Sequence, residues 1–144
     1  MIKEIEQKLL DRFQKGYIKS ISCNEGWYKI LEDLDNKLSY LDPNYRVAQI
    51  KEKFGTLRFY FDTDTEGLIR SIMFDCVRVA EFASSYTCEY CGNNQGRLQD
   101  NGWIKTACHP CWNKKMDEIV ARDKALTELV KFNEDNGLYD KDLE

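Results

Sequence analysis

Apolar residues at three- and four-residue steps open the chain: Ile2, Ile5, Leu9 and Phe13, with charged residues between them. That period predicts an amphipathic helix ending near Gly16. Residues 17–22 alternate too briefly to assign. Asn24 is placed to N-cap a second helix, in which Trp27, Ile30, Leu31, Leu34, Leu38 and Leu41 share one face. Asp42-Pro43-Asn44 supplies its stop. The period then changes to two, and 46–51 and 56–61 read as strands around Glu52-Lys53-Phe54-Gly55. In the second strand Leu57, Phe59 and Phe61 take one face, while Thr56, Arg58 and Tyr60 take the other. Thr63-Asp64-Thr65-Glu66 has the spacing of a capping box. It predicts a third helix to about Ser85, with an apolar stripe of Ile69, Ile72, Met73, Cys76, Val79, Ala80 and Ala83. A last helix over 112–132 is expected to bury Met116, Ile119, Val120, Leu126, Leu129 and Val130.

Between the last two helices stand Cys88-Glu-Tyr-Cys91 and Cys108-His-Pro-Cys111, sixteen residues apart. A two-residue gap turns both sulfurs of a pair toward one point, and two pairs supply the four thiolates of a structural zinc site. The intervening Asp100-Asn101-Gly102 predicts a hairpin turn. The second pair then falls at a helix N-terminus, where the dipole favours thiolates. Knuckle, hairpin and helix in that order resemble the treble-clef zinc fold. Cys88, Cys91, Cys108 and Cys111 are therefore expected to hold one structural Zn²⁺. Four sulfur ligands leave no open position for a reacting water.

The 144 residues are 42% hydrophobic and 32% charged, the composition of a globular chain with a real core. They predict one α+β domain over 1–132, with a zinc subdomain at about 86–132 and an acidic, flexible tail at 133–144. The tail accounts for the whole net charge of −4, leaving the remainder balanced. No apolar run is long enough for a membrane span, and the N-terminus lacks a signal-peptide core. A cytoplasmic location follows as an expectation, with Cys23 and Cys76 as reduced thiols. An overall pI near 5.2 disfavours non-specific duplex binding.

Lys51 to Tyr60 reads Lys-Glu-Lys-Phe-Gly-Thr-Leu-Arg-Phe-Tyr and stands upstream of the Cys88–Gly92 knuckle. In this combination, over about 24–112, the chain resembles a group of small, largely uncharacterised proteins from phages and bacteria. The resemblance brings no activity with it. It implies an accessory or counter-defence role in a phage or mobile element, and for a phage protein the host cytoplasm.

This hairpin is also the most basic stretch, with Arg46, Lys51, Lys53 and Arg58 against Glu52. With Phe54 and Tyr60 they form a candidate surface for nucleic acid, a nucleotide or an acidic protein. The bland alternative is a solvated hairpin with Phe54 in the core. Lys105 beside Trp103, with Lys114 and Lys115, offers a second basic candidate, whose bland and preferred reading is ordinary solvated lysines. The single histidine, His109, lies inside a complete ligand pair and is expected at the surface or behind the ligands. Cys23-Asn24-Glu25 imitates a deaminase motif without the proline that precedes its cysteine pair. Asp62, Asp64 and Glu66 imitate a calcium loop whose twelfth position is Met73. The reading is a non-catalytic, zinc-stabilised binding protein. The alternatives are an enzyme acting on nucleotide or nucleic acid and a pure protein-interaction module.

Overall fold

A computed structural model describes residues 2–138. The fold is α+β. The chain separates into two compact units, 1–111 and 112–144. In the first, helix α1 (Ile2–Leu10) and helix α2 (Tyr28–Leu41) pack together, and a three-stranded sheet follows. Strand β2 (Arg46–Lys53) is central, antiparallel to β3 (Thr56–Asp62) and parallel to the short β1 (Ile21–Ser22). Helix α3 (Gly67–Ser84) packs on α2 and β3. Strands β4 (Arg97–Asp100) and β5 (Ile104–Ala107) form a separate hairpin. Helix α4 (His109–Asp135) begins at the second cysteine pair.

One core serves the first unit. Leu9, Phe13, Trp27, Leu31, Leu34 and Leu38 meet Val47, Ile50, Leu57, Phe59, Phe61 and Met73. Val47 and Ile50 both face inward although three residues apart, because the register shifts between Val47 and Gln49. The bulge restores the inward phase that strict alternation would lose. Both sheet edges are protected. On the outer edge of β3, the Leu57 N–H donates to Ser84 Oγ at 2.9 Å and the Phe59 N–H to Glu81 Oε2 at 3.3 Å. On the other side, Phe13 bridges Val47 and Ile21 pairs with Ile50. Covered edges remove the template for chain-to-chain strand pairing.

Several boundaries differ from the sequence reading for identifiable reasons. Helix α1 stops at Leu10, not near Gly16, because the following residues leave the helix to run along β2. Asn24 makes no side-chain cap and precedes a 3-10 turn, Glu25–Trp27. The capping box does not form. Thr63 is buried and its hydroxyl donates to Asp42 Oδ2 at 2.6 Å, pinning the end of β3 to the end of α2, so α3 starts only at Gly67. On α3 the buried positions are Met73, Val77, Ala80 and Ser84, while Ile69, Ile72 and Val79 remain exposed.

The second unit consists of the remainder of α4. Its expected buried face is not buried: Ile119, Val120, Leu126, Leu129 and Val130 are exposed, and Met116 is half-buried. Apolar periodicity specifies a face, but burial needs a second layer, and this unit is a single helix among the described residues. The helix runs past Phe132 and closes on Asn136-Gly137. The Leu138 N–H donates to Asn133 O at 2.8 Å and the Gly137 N–H to Glu134 O at 3.2 Å, with Gly137 at φ 65°. That is a Schellman cap, which needs a left-handed residue. Of the predicted acidic tail, residues 139–144 lie outside the described residues.

Gly26 shows how tightly the first unit is closed. Its N–H donates to Glu89 O at 2.8 Å, and a Cβ added there would overlap the carbonyls of Cys88 and Glu89. Gly26→Ala is expected to destabilise the protein by about 3 kcal/mol, since backbone rather than a movable side chain must give way. Chemical denaturation checks this, and a loss under about 0.5 kcal/mol, the size of an ordinary surface change, contradicts it.

Candidate metal centre and basic sheet face

The four sequence-predicted ligands converge. The thiol sulfurs of Cys88, Cys91, Cys108 and Cys111 all lie within 4.8 Å of one another, and Cys91 Sγ stands 3.8 Å from Cys108 Sγ. A tetrahedral ion with metal–sulfur bonds of about 2.3 Å sets its sulfurs about 3.8 Å apart, so the geometry fits such an ion. Local structure explains the convergence. The Gly92 N–H donates to Cys88 O and the Cys88 N–H to Asn93 O, both at 2.9 Å, folding the first pair into a knuckle. The β4–β5 hairpin returns the chain, and α4 opens at the second pair. Cys88 and Cys108 are buried, Cys111 is half-buried and Cys91 is exposed.

Crowding sets the thiol chemistry. Burial pushes the Cys111 thiol up, and the neighbouring thiols add to it. Burial also acts on Cys108, but the Cys111 backbone N–H and the adjacent thiols outweigh it and bring that thiol down to about 7. The Cys108 sulfur is therefore poised to ionise, and a bound cation would favour the thiolate that burial opposes at Cys111. His109 is exposed and stands apart from the four sulfurs as a residue of the α4 start.

Behind this centre lies a polar cluster that the sequence did not reveal. Glu89, between the first two cysteines, has no exposed surface. Lys105 Nζ reaches its two carboxylate oxygens at 3.1 and 3.2 Å and Glu52 Oε2 at 3.4 Å. Asn24 Nδ2 donates to Glu89 Oε2 at 2.9 Å, which is where the supposed helix cap goes. Lys105 is thus buried and paired, contrary to its reading as a solvated lysine. Its Nζ also lies 5.2 Å from the Trp103 ring centre. Burial, with Glu89 next, pushes the nearby Cys23 thiol up to about 12, and Lys105 opposes this only in part. An un-ionised, half-buried thiol is no nucleophile.

The basic hairpin residues divide between two situations. Lys51 and Arg58 are directly opposed across β2 and β3, on the solvent face with Gln49 and Tyr60. Neither makes an ion pair among the described residues. Burial raises the Glu81 carboxyl above its usual range, while the Phe59 N–H and the charge of Arg58 pull it down in part. Arg46 is engaged instead, pairing with Asp64 at 3.2 Å. Lys53 Nζ lies 5.5 Å from the Phe54 ring centre. Phe54 is not a core residue: it is 66% exposed, at φ 54°, with Gly55 at φ 84°. Two left-handed residues make the tight turn whose twist suits a hairpin, at a cost for the non-glycine one. Gly55 is required because its backbone lies against β4 and β5, and Thr106 Oγ1 donates to Gly55 O at 2.6 Å.

The chain matches no family model, no curated protein and no solved structure, so the site is read from its own geometry.

Reduced protein purified under metal-replete conditions is expected to carry one metal ion per chain. Cys88→Ser or Cys108→Ser should lose both the metal and thermal stability, because closing the site is coupled to folding. Elemental analysis of folded, reduced protein showing no bound metal contradicts this. In the cluster behind, Lys105→Met alone leaves Glu89 buried and unpaired and should cost about 3–5 kcal/mol. Adding Glu89→Gln should recover part of that loss in denaturation experiments, and strict additivity of the two losses is the contrary result.

Proposed function

We propose that the protein is a non-catalytic binding protein, in which a structural Zn²⁺ at Cys88, Cys91, Cys108 and Cys111 holds the fold. In this reading the solvent face of β2 and β3 receives the phosphates of a nucleic acid or nucleotide. Zinc is favoured by four thiolates at tetrahedral spacing with no open ligand position. The order of knuckle, hairpin and helix supports a treble-clef-like unit.

The observation that carries the binding role is the Lys51–Arg58 pair. Like charges directly opposed on neighbouring strands repel, and such a pair costs stability until an anion lies between its members. Both side chains are half-buried, which weakens screening by water. The exposed Tyr60 and Phe54 supply ring surface beside them. Charge-assisted hydrogen bonds from an arginine and a lysine to phosphate oxygens suit this arrangement.

A second reading, a protein-interaction module, is favoured by a separate observation. Asn36, Lys37, Tyr40, Leu41 and Cys76 line an open apolar groove of about 420 Å³ along α2 and α3, and Tyr40 is 88% exposed. Exposed apolar surface of this kind marks contact sites.

The two are separated by the double variant Lys51→Ala/Arg58→Ala. It is expected to keep or slightly raise the melting temperature, because it relieves repulsion. Affinity for heparin and for a short DNA strand should fall by about 1.5–3 kcal/mol for each charge-assisted hydrogen bond removed. The slope of log affinity against log salt should shrink by about two. Unchanged affinity and slope would remove the sheet face from the function and leave the α2–α3 groove as the working surface.

A further inference from the structure

The segment joining α1 to β1 is fastened to β2 at two points. The Val47 N–H donates to Arg12 O at 2.8 Å and the Gln14 N–H to Val47 O at 2.9 Å, and further on Ile21 pairs with Ile50. More chain lies between these anchors than the stretch of β2 beside it needs, so the segment arches outward. Its crest, Gly16, Tyr17 and Ile18, lines an open groove of about 560 Å³ with Ala48, Gln49 and Tyr60. Tyr17 is 50% exposed and Tyr60 48% exposed, so both offer ring surface to solvent. Gln49 is the cross-strand partner of Tyr60, and the next pair on the same face is Lys51 with Arg58, about 7 Å along the strands.

We infer that this groove takes an unstacked base of a single-stranded nucleic acid, whose phosphates lie on Lys51 and Arg58. The inference rests on the sheet-face reading above and names its ligand class. Aromatic side chains beside a basic track are how single strands are held, because every base has a face to stack. The exposed amide of Gln49 carries both a donor and an acceptor for a base edge. Lys15 and Lys19, exposed on the same arch, add positive charge. Of the acids at the far end of β3, Asp64 is paired with Arg46, while Asp62 accepts from the Gln14 side chain and keeps its charge away from the Lys51–Arg58 end. A duplex keeps its bases stacked and paired and offers this groove nothing. An acidic peptide satisfies the cations and leaves the tyrosines unused.

Fluorescence anisotropy with the metal-loaded full chain tests this, using labelled oligothymidylate, an abasic strand of the same length and a matched duplex. Oligothymidylate is expected to bind about tenfold tighter than the abasic strand, the size of a stacked base. Tyr17→Ala and Tyr60→Ala should each narrow the gap between oligothymidylate and the abasic strand, and Tyr17→Phe should keep wild-type affinity. Equal affinity for the base-bearing and abasic strands would overturn the groove and leave the phosphate-binding face standing. Binding to none of the three probes would overturn both.

Discussion

A carboxylate with no exposed surface, set between two cysteines of the candidate metal centre, is the constraint on which the first unit depends. Glu89 in isolation would cost several kcal/mol to bury as an anion. It is tolerable only with Lys105 and Asn24 in place, and Lys105 in turn holds Glu52. Four separate parts of the chain therefore meet at one point: the segment before α2, strand β2, the knuckle and strand β5. Thr106 extends the same tie, since its hydroxyl holds Gly55 at the hairpin tip and its carbonyl accepts from the Glu89 N–H at 2.9 Å. Whatever fixes the knuckle fixes the hairpin.

This anchoring is one-sided, and the sidedness bears on function. The bulge near Ala48 keeps Val47, Ile50 and Glu52 on the inner face of β2. The hairpin is held from behind by the core and the ion cluster. Its outer face is then free to carry features that a self-sufficient hairpin would avoid. Lys51 opposes Arg58, and Phe54 occupies a left-handed turn position with its ring in solvent. Each is a small local cost, on the order of 1 kcal/mol or less for the pair and about 1–2 kcal/mol for the turn. Such costs, beside two accessible tyrosines, support the binding surface proposed above.

Much of this was legible in the chain because periodicity is local. The switch from three-and-four steps to alternation separated α1 and α2 from β2 and β3, and cysteine spacing alone located the four sulfurs. The bulge had a signal too, in the three-residue gap between two apolar strand residues, Val47 and Ile50. Asn136-Gly137 likewise carries a stop signal for α4, beyond the end expected at 132. Other features had no local signature. A lysine in β5 does not announce a carboxylate sixteen positions away, and Thr63 reads as a helix cap until its distant partner Asp42 is known. The stripe on α4 was a correct period with a wrong inference, because a period cannot say what lies opposite.

The anion-binding surface proposed above is one face of one hairpin, backed by the Glu89–Lys105 cluster. Amide chemical-shift mapping of the ¹⁵N-labelled, metal-loaded protein, titrated with a single-stranded oligonucleotide, tests that placement directly. The perturbed amides are expected to cluster at Tyr17, Ile18, Gln49, Lys51, Arg58 and Tyr60. Shifts concentrated instead around Tyr40, Cys76 and Val79, or no shifts at saturating oligonucleotide, would contradict it.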